Sequence, residues 1–150
     1  MVNYNIRNIQ RKVLKMLPVD KKNRPSILLA DSCSEISRLV ASWIKASDKI
    51  SQINILKGNN VCGTKKSHDI LAVTDKSGRV QIIDPTVWQF FPRKKSIPVL
   101  TAKDINAAIN KIKKIYSGRW KISEKFIKLS KSQEKKYLNI IKQNIKENLE

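Results

Sequence analysis

Three side chains in this sequence have the types and the order needed to attack a carbonyl through sulfur: Cys33, His68 and Asp84. Cys33 stands in Asp31-Ser32-Cys33-Ser34-Glu35, directly before Ile36, Leu39, Val40, Trp43 and Ile44. That spacing marks one buried face of a helix. Ser32 and Glu35 match the S-x-x-E capping box, which predicts Cys33 as the first helical residue. A thiol there faces unpaired backbone N–H groups and the positive end of the helix dipole, and both favour the attacking thiolate. The same N–H groups can hold an oxyanion, and Ser32 and Ser34 become candidates for the substrate cleft.

His68 is the only histidine, and it opens the apolar, β-prone run Ile70 to Thr74. Asp75-Lys76-Ser77-Gly78 reads as a turn, and Arg79 to Asp84 alternates again, with Val80 and Ile82 on one face. The stretch is therefore expected to be a hairpin with a histidine at the start of one strand and a carboxylate at the end of the next. If the four turn residues form the loop, Thr74 pairs with Arg79 and His68 lies opposite Pro85. One additional residue near the turn brings Asp84 onto the face of His68. The chemistry needs a thiolate at a helix start, a histidine base and a carboxylate to orient the histidine, and the chain offers a candidate for each.

A helix beginning at Cys, then a strand, a His strand and an Asp strand, resembles the transglutaminase-like and papain-like thiol enzymes. The phrase Ile83-Asp84-Pro85-Thr86 followed by Trp88 is similar to the segment around the third catalytic residue of transglutaminase-like cores. The resemblance spans Ser32 to Phe91. It implies Cys33 as nucleophile, His68 as general base and acid, Asp84 as the orienting carboxylate, and no cofactor or metal. In size the chain is similar to the glutamine deamidase and cysteine protease toxins and effectors of bacteria. That likeness implies a bacterial protein, secreted or delivered into a target cell and acting in its cytoplasm. Papain-like enzymes place an oxyanion-hole Gln shortly before the Cys, and Arg24 to Ser32 contains none. Gln10 and Gln52 are the alternative donors, beside a backbone amide alone.

Each residue also has a plainer role. A Cys on a helix packs as a small hydrophobe, a His at a strand end is surface polarity, and Asp-Pro ends strands. Joint order and element type favour the thiol enzyme over these. Cys62, in Gly58-Asn59-Asn60-Val61-Cys62-Gly63-Thr64, has no helix start behind it and ranks below Cys33 as nucleophile. Trp88, with Phe90 and Phe91, either walls the cleft or closes the core.

These residues need a scaffold, and 150 residues suffice for one α+β domain with a core of its own. A basic N-terminal helix and loop would cover 1–25, with Ile6, Ile9, Val13, Leu14 and Leu17 inward and Pro18 as its stop. A catalytic core would cover 26–92, with a strand over Ser51 to Lys57. A Lys-rich helical part would cover 93–150. In it a helix capped by Thr101 runs to Tyr116 and ends at Gly118, followed by a packed segment and a last helix from about Ser132. The helices are expected to cover an antiparallel sheet carrying His68 and Asp84. The chain could equally be a module of a larger protein.

Two cysteines without C-x-x-C and a single histidine exclude a zinc cluster and a disulfide framework. Net charge is +19, with lysine far outnumbering arginine. That suits point-charge contact with an acidic partner rather than bidentate reading of bases. An acidic protein substrate or an acidic neutralising, immunity-type protein fits, and so do RNA and an anionic membrane surface. The competing reading is a basic nucleic-acid-binding protein or ribonuclease toxin with Cys33 merely structural. A single histidine forbids two-histidine ribonuclease chemistry.

Overall fold

The computed structural model describes residues 5–18, 25–46 and 50–149. The basic loop expected at 19–24 lies outside them. Helix α1 (Ile6–Leu14) is capped by the Asn5 side chain, which accepts from the N–H groups of Arg7 and Asn8. A single helical turn, α2 (Pro25–Leu28), leads into α3 (Cys33–Lys45). The strands are β1 (Ile50–Asn59), β2 (His68–Asp75), β3 (Val80–Ile83), β4 (Val99–Ala102) and β5 (Arg119–Phe126). Helix α4 (Ile105–Tyr116) separates β4 from β5, and α5 (Lys131–Leu149) closes the description.

All five strands form one antiparallel sheet in the order β4-β3-β2-β1-β5. Ile53, Ile55, Leu71, Val73 and Ile83 pack with apolar residues of α1, α3 and α5. The alternate positions Leu56, Ile70, Ala72, Val80 and Ile82 pack with Ala108, Ile112 and Tyr116 of α4. Because both faces are covered, β2 reads Ile-Leu-Ala-Val without polar alternation. The protein is thus an α+β domain with a five-stranded antiparallel sheet and helices on both faces.

The segment 93–150 is not a helical appendage: it supplies both edge strands of the sheet. Thr101 therefore sits in β4, and Asp104, whose carboxylate accepts from Ala107 N–H, caps α4. The run Trp120 to Phe126 pairs along β1, with Ser123 as an extra residue between the Ile55–Glu124 and Leu56–Ile122 pairs. The helical spacing of α4 was legible. The strands on either side of it, four and eight residues long, carry too little periodicity to declare themselves.

Candidate active site

The β2–β3 register decides whether His68 and Asp84 share a face. Thr74 pairs with Val80, Val73 with Gln81, Ala72 with Ile82 and Leu71 with Ile83. The connection holds five residues: Asp75 N–H donates to the Arg79 carbonyl, and the Asp75 carboxylate accepts from Ser77 and Arg79 N–H. The additional residue in the turn puts Asp84 on the same face as His68, Ile70 and Ala72. Their side chains meet on the α4 side of the sheet, near its end.

His68 Nε2 lies 2.9 Å from both Asp84 carboxylate oxygens. Both side chains are buried, at 1% and 2% exposure. Asp84 Oδ1 also accepts from Thr86 N–H, and Oδ2 accepts from the Tyr116 hydroxyl at 2.5 Å. Three aromatic rings enclose the imidazole: Phe90 at 4.8 Å, Tyr116 at 5.9 Å and Trp120 at 6.5 Å between centroids. The row His68–Gly58–Trp120 runs across β2, β1 and β5. A Cβ on Gly58 would stand 2.5 Å from carbons of the Trp120 ring, so only glycine lets that indole lie flat against β1.

Burial works against charge on His68. The Asp84 charge and hydrogen bond, with a further contribution from the neighbouring Cys33 thiol, outweigh it and hold the imidazole up at about 10. Nδ1, the ring nitrogen turned away from Asp84, is buried and has no hydrogen-bond partner of good geometry. The Cys33 thiol acts on this ring through a hydrogen bond and its charge. It reaches the end of the sheet because α3 lies along β2: Ser37 Oγ donates to the Asp69 carbonyl, and Arg38 bridges Asp69 and Glu124. One turn back along the helix from those anchors brings Cys33 toward the first residue of β2.

The expected capping box does not form. Ser32 N–H donates to the Leu29 carbonyl instead of meeting Glu35, and Ser32 Oγ accepts from the Asn144 amide of α5. Without a side-chain cap, the first helical bond runs from Ile36 N–H to the Ser32 carbonyl. The N–H groups of Cys33, Ser34 and Glu35 therefore have no helical acceptor. Missing the cap leaves more donors at the thiol than the sequence motif implied.

The other candidates separate. Ser32 is fully buried and braces α5, and Ser34 Oγ accepts from Arg38 at 2.6 Å. Trp88 is buried in the core on the α3 side, and its Nε1–H donates to the Lys94 carbonyl. Gln10 donates to the Lys95 carbonyl and accepts from Ile97 N–H, which occupies its amide in bracing that loop. Gln52 pairs with Thr74, six residues along β1 from Gly58 and so about 20 Å from the His68 row. Cys62 is exposed in a 3-10 turn over Val61–Gly63, with Asn60 and Cys62 both left-handed at φ 54°. Partial burial and the charge of Asp84 push its thiol up, which weakens it as a nucleophile.

From sequence Tyr116 is only the end of a helix, and Trp120 falls within the packed segment that follows it. Tyr116 is also the donor that completes Asp84, and burial followed by the Asp84 charge keeps its phenol protonated. Nothing in the helical spacing of α4 distinguishes a tyrosine that packs from one that donates. Among the described residues no group of three His, Cys, Asp or Glu side chains is placed to hold a metal, and no helix is long and apolar enough to cross a membrane. Comparison with protein-family models, curated proteins and solved structures yields no match.

Proposed function

We propose that the protein is a thiol-dependent acyl-transfer enzyme of the papain/transglutaminase-like kind, working through Cys33, His68 and Asp84. The observation that carries this reading is His68 itself. One ring nitrogen is fixed by a buried carboxylate, and the Cys33 thiol bears on the same buried ring through a hydrogen bond and its charge.

In this mechanism the Cys33 thiolate, whose proton is the one His68 carries, attacks an amide carbonyl carbon, and the carbonyl electron pair moves to oxygen. The uncapped N–H groups at the start of α3 stabilise that oxyanion. His68, held as imidazolium by Asp84, gives its Nδ1 proton to the departing nitrogen, and the C–N bond breaks to leave a thioester. Neutral His68 then takes a proton from water or from an amine, which attacks the thioester and releases Cys33. Water gives deamidation or proteolysis; an amine gives cross-linking. Asp84 orients the ring and stabilises its cation without taking the proton.

The +19 charge supports an acidic protein as substrate or neutralising partner. Exposed lysines on α4 (Lys111, Lys113, Lys114) and α5 (Lys135, Lys142, Lys146) carry part of it. A bacterial toxin or effector role follows from the same resemblance. The test is ammonia release from a blocked glutaminyl peptide, with mass spectrometry for a hydroxylamine-sensitive adduct on Cys33. Wild type forms the adduct and Cys33→Ala does not. Full activity in Cys33→Ala would refute the proposal.

A further inference from the structure

The loop after β3 is held more firmly than a connection requires. Phe91 N–H donates to the Val87 carbonyl and Lys94 N–H to the Phe91 carbonyl. The Trp88 indole holds the Lys94 carbonyl, and Gln10, more than eighty residues away, holds both the Lys95 carbonyl and Ile97 N–H. These braces shape a surface hollow of about 390 Å³ lined by Phe90, Phe91, Pro92, Arg93 and Lys94. Its floor is apolar and its rim cationic, with Arg93, Lys94 and Lys95 all exposed.

The hollow adjoins the site through its own walls. Phe90, half-buried, is the ring packed on His68, and Phe91 packs edge-on against Tyr116 at 5.1 Å between centroids. An apolar hollow whose walls touch the site and whose rim carries only positive charge is complementary to one chemistry. We infer that the hollow receives an extended segment of the substrate in which an apolar side chain is bordered by carboxylates, seated beside the amide presented to Cys33. This assignment deepens the thiol-enzyme reading by naming the substrate class, and it rests on that reading. The apolar side chain covers Phe90 and Phe91, while the bordering carboxylates meet Arg93 and Lys94. Exposed pairs of this kind are weak and screened by salt, so the rim selects and the floor binds.

The test is a binding measurement on the Cys33→Ala protein, which does not require Cys33 to be a nucleophile. Two fluorescein-labelled hexapeptides are compared by anisotropy, one with leucine bordered by glutamates and one with leucine bordered by lysines. Their contact surface is mapped by the aromatic NMR signals of Phe90, Phe91 and His68. The expected result is that the glutamate peptide binds and shifts those signals, and that Arg93→Glu with Lys94→Glu weakens it about tenfold. The lysine peptide should bind at least as much more weakly. Equal binding of both peptides, signals shifting on α5 instead, or no binding of either would overturn the assignment. The thiol reading is judged separately by the Cys33 adduct.

Discussion

His68 is the only histidine in the chain, so its imidazole gives one unambiguous set of ring signals by NMR. Its state rests on a contest between burial, which disfavours the cation, and Asp84, which favours it. Asp84→Asn preserves the shape and an acceptor for Thr86 N–H but removes the charge. The titration midpoint of His68 should then fall from about 10 to below 6.5, leaving a neutral ring at pH 7. The interval from 6.5 to about 10, at about 1.4 kcal/mol per pH unit, corresponds to at most about 5 kcal/mol of stability. The folded-state value lies above the unfolded one. This contribution is therefore complete below pH 6.5 and is lost as pH rises through about 10. Urea unfolding across that range should show wild type losing stability steadily, while Asp84→Asn lacks that component. Turnover in Asp84→Asn should fall sharply, because neither the tautomer nor the imidazolium is then held. A wild-type His68 that titrates near 6.5, or a midpoint indifferent to Asp84→Asn, would refute the reasoning.

Tyr116→Phe keeps the ring packed against Phe91 and Trp120 but deletes a buried donor to a carboxylate, costing about 2 kcal/mol in thermal or urea unfolding. An unchanged stability would mean that Asp84 does not depend on this bond. Iodoacetamide near neutral pH should modify Cys33 before Cys62, whose thiol is pushed up by partial burial and Asp84; peptide mapping that finds the reverse order counts against Cys33 as nucleophile. Gly58→Ala should cost about 2 kcal/mol and displace Trp120, which the loss of its indole fluorescence environment and a melting point lower by about 4–8 °C would report.

The His68–Asp84 pair and the helix start at Cys33 could be read from the chain because they are short-range statements. A helix start, a strand start and a strand end each sit next to their own local signals, and the five-residue turn needed to align His68 with Asp84 was one of two registers the sequence allowed. What could not be read depends on distant partners. Ser32 appears in sequence as a capping residue, but its hydroxyl is taken by Asn144, 112 residues later. Gln10 appears as a spare donor, but its amide is spent on Lys95 and Ile97. Thr101 appears as a helix cap because local pattern cannot reveal that Gln81 pairs with it across β3 and β4. In each case a local preference lost to a tertiary hydrogen bond that only the folded topology supplies.

Two of the three asparagines of α5, Asn144 and Asn148, bear on when the segment before Cys33 is held in place. Asn144 donates to the Asp31 carbonyl and the Ser32 hydroxyl, and Asn148 donates to the carbonyls of Leu28 and Ala30. The approach to Cys33 is thus pinned by the final helical turns of the described chain. A ribosome making this protein emits Cys33, His68 and Asp84 long before those turns emerge. Until they do, the bend at Asp31, left-handed at φ 67°, lacks these ties from α5. The segment before Cys33 is thus tied down only after α5 has been made, however early Cys33, His68 and Asp84 themselves appear.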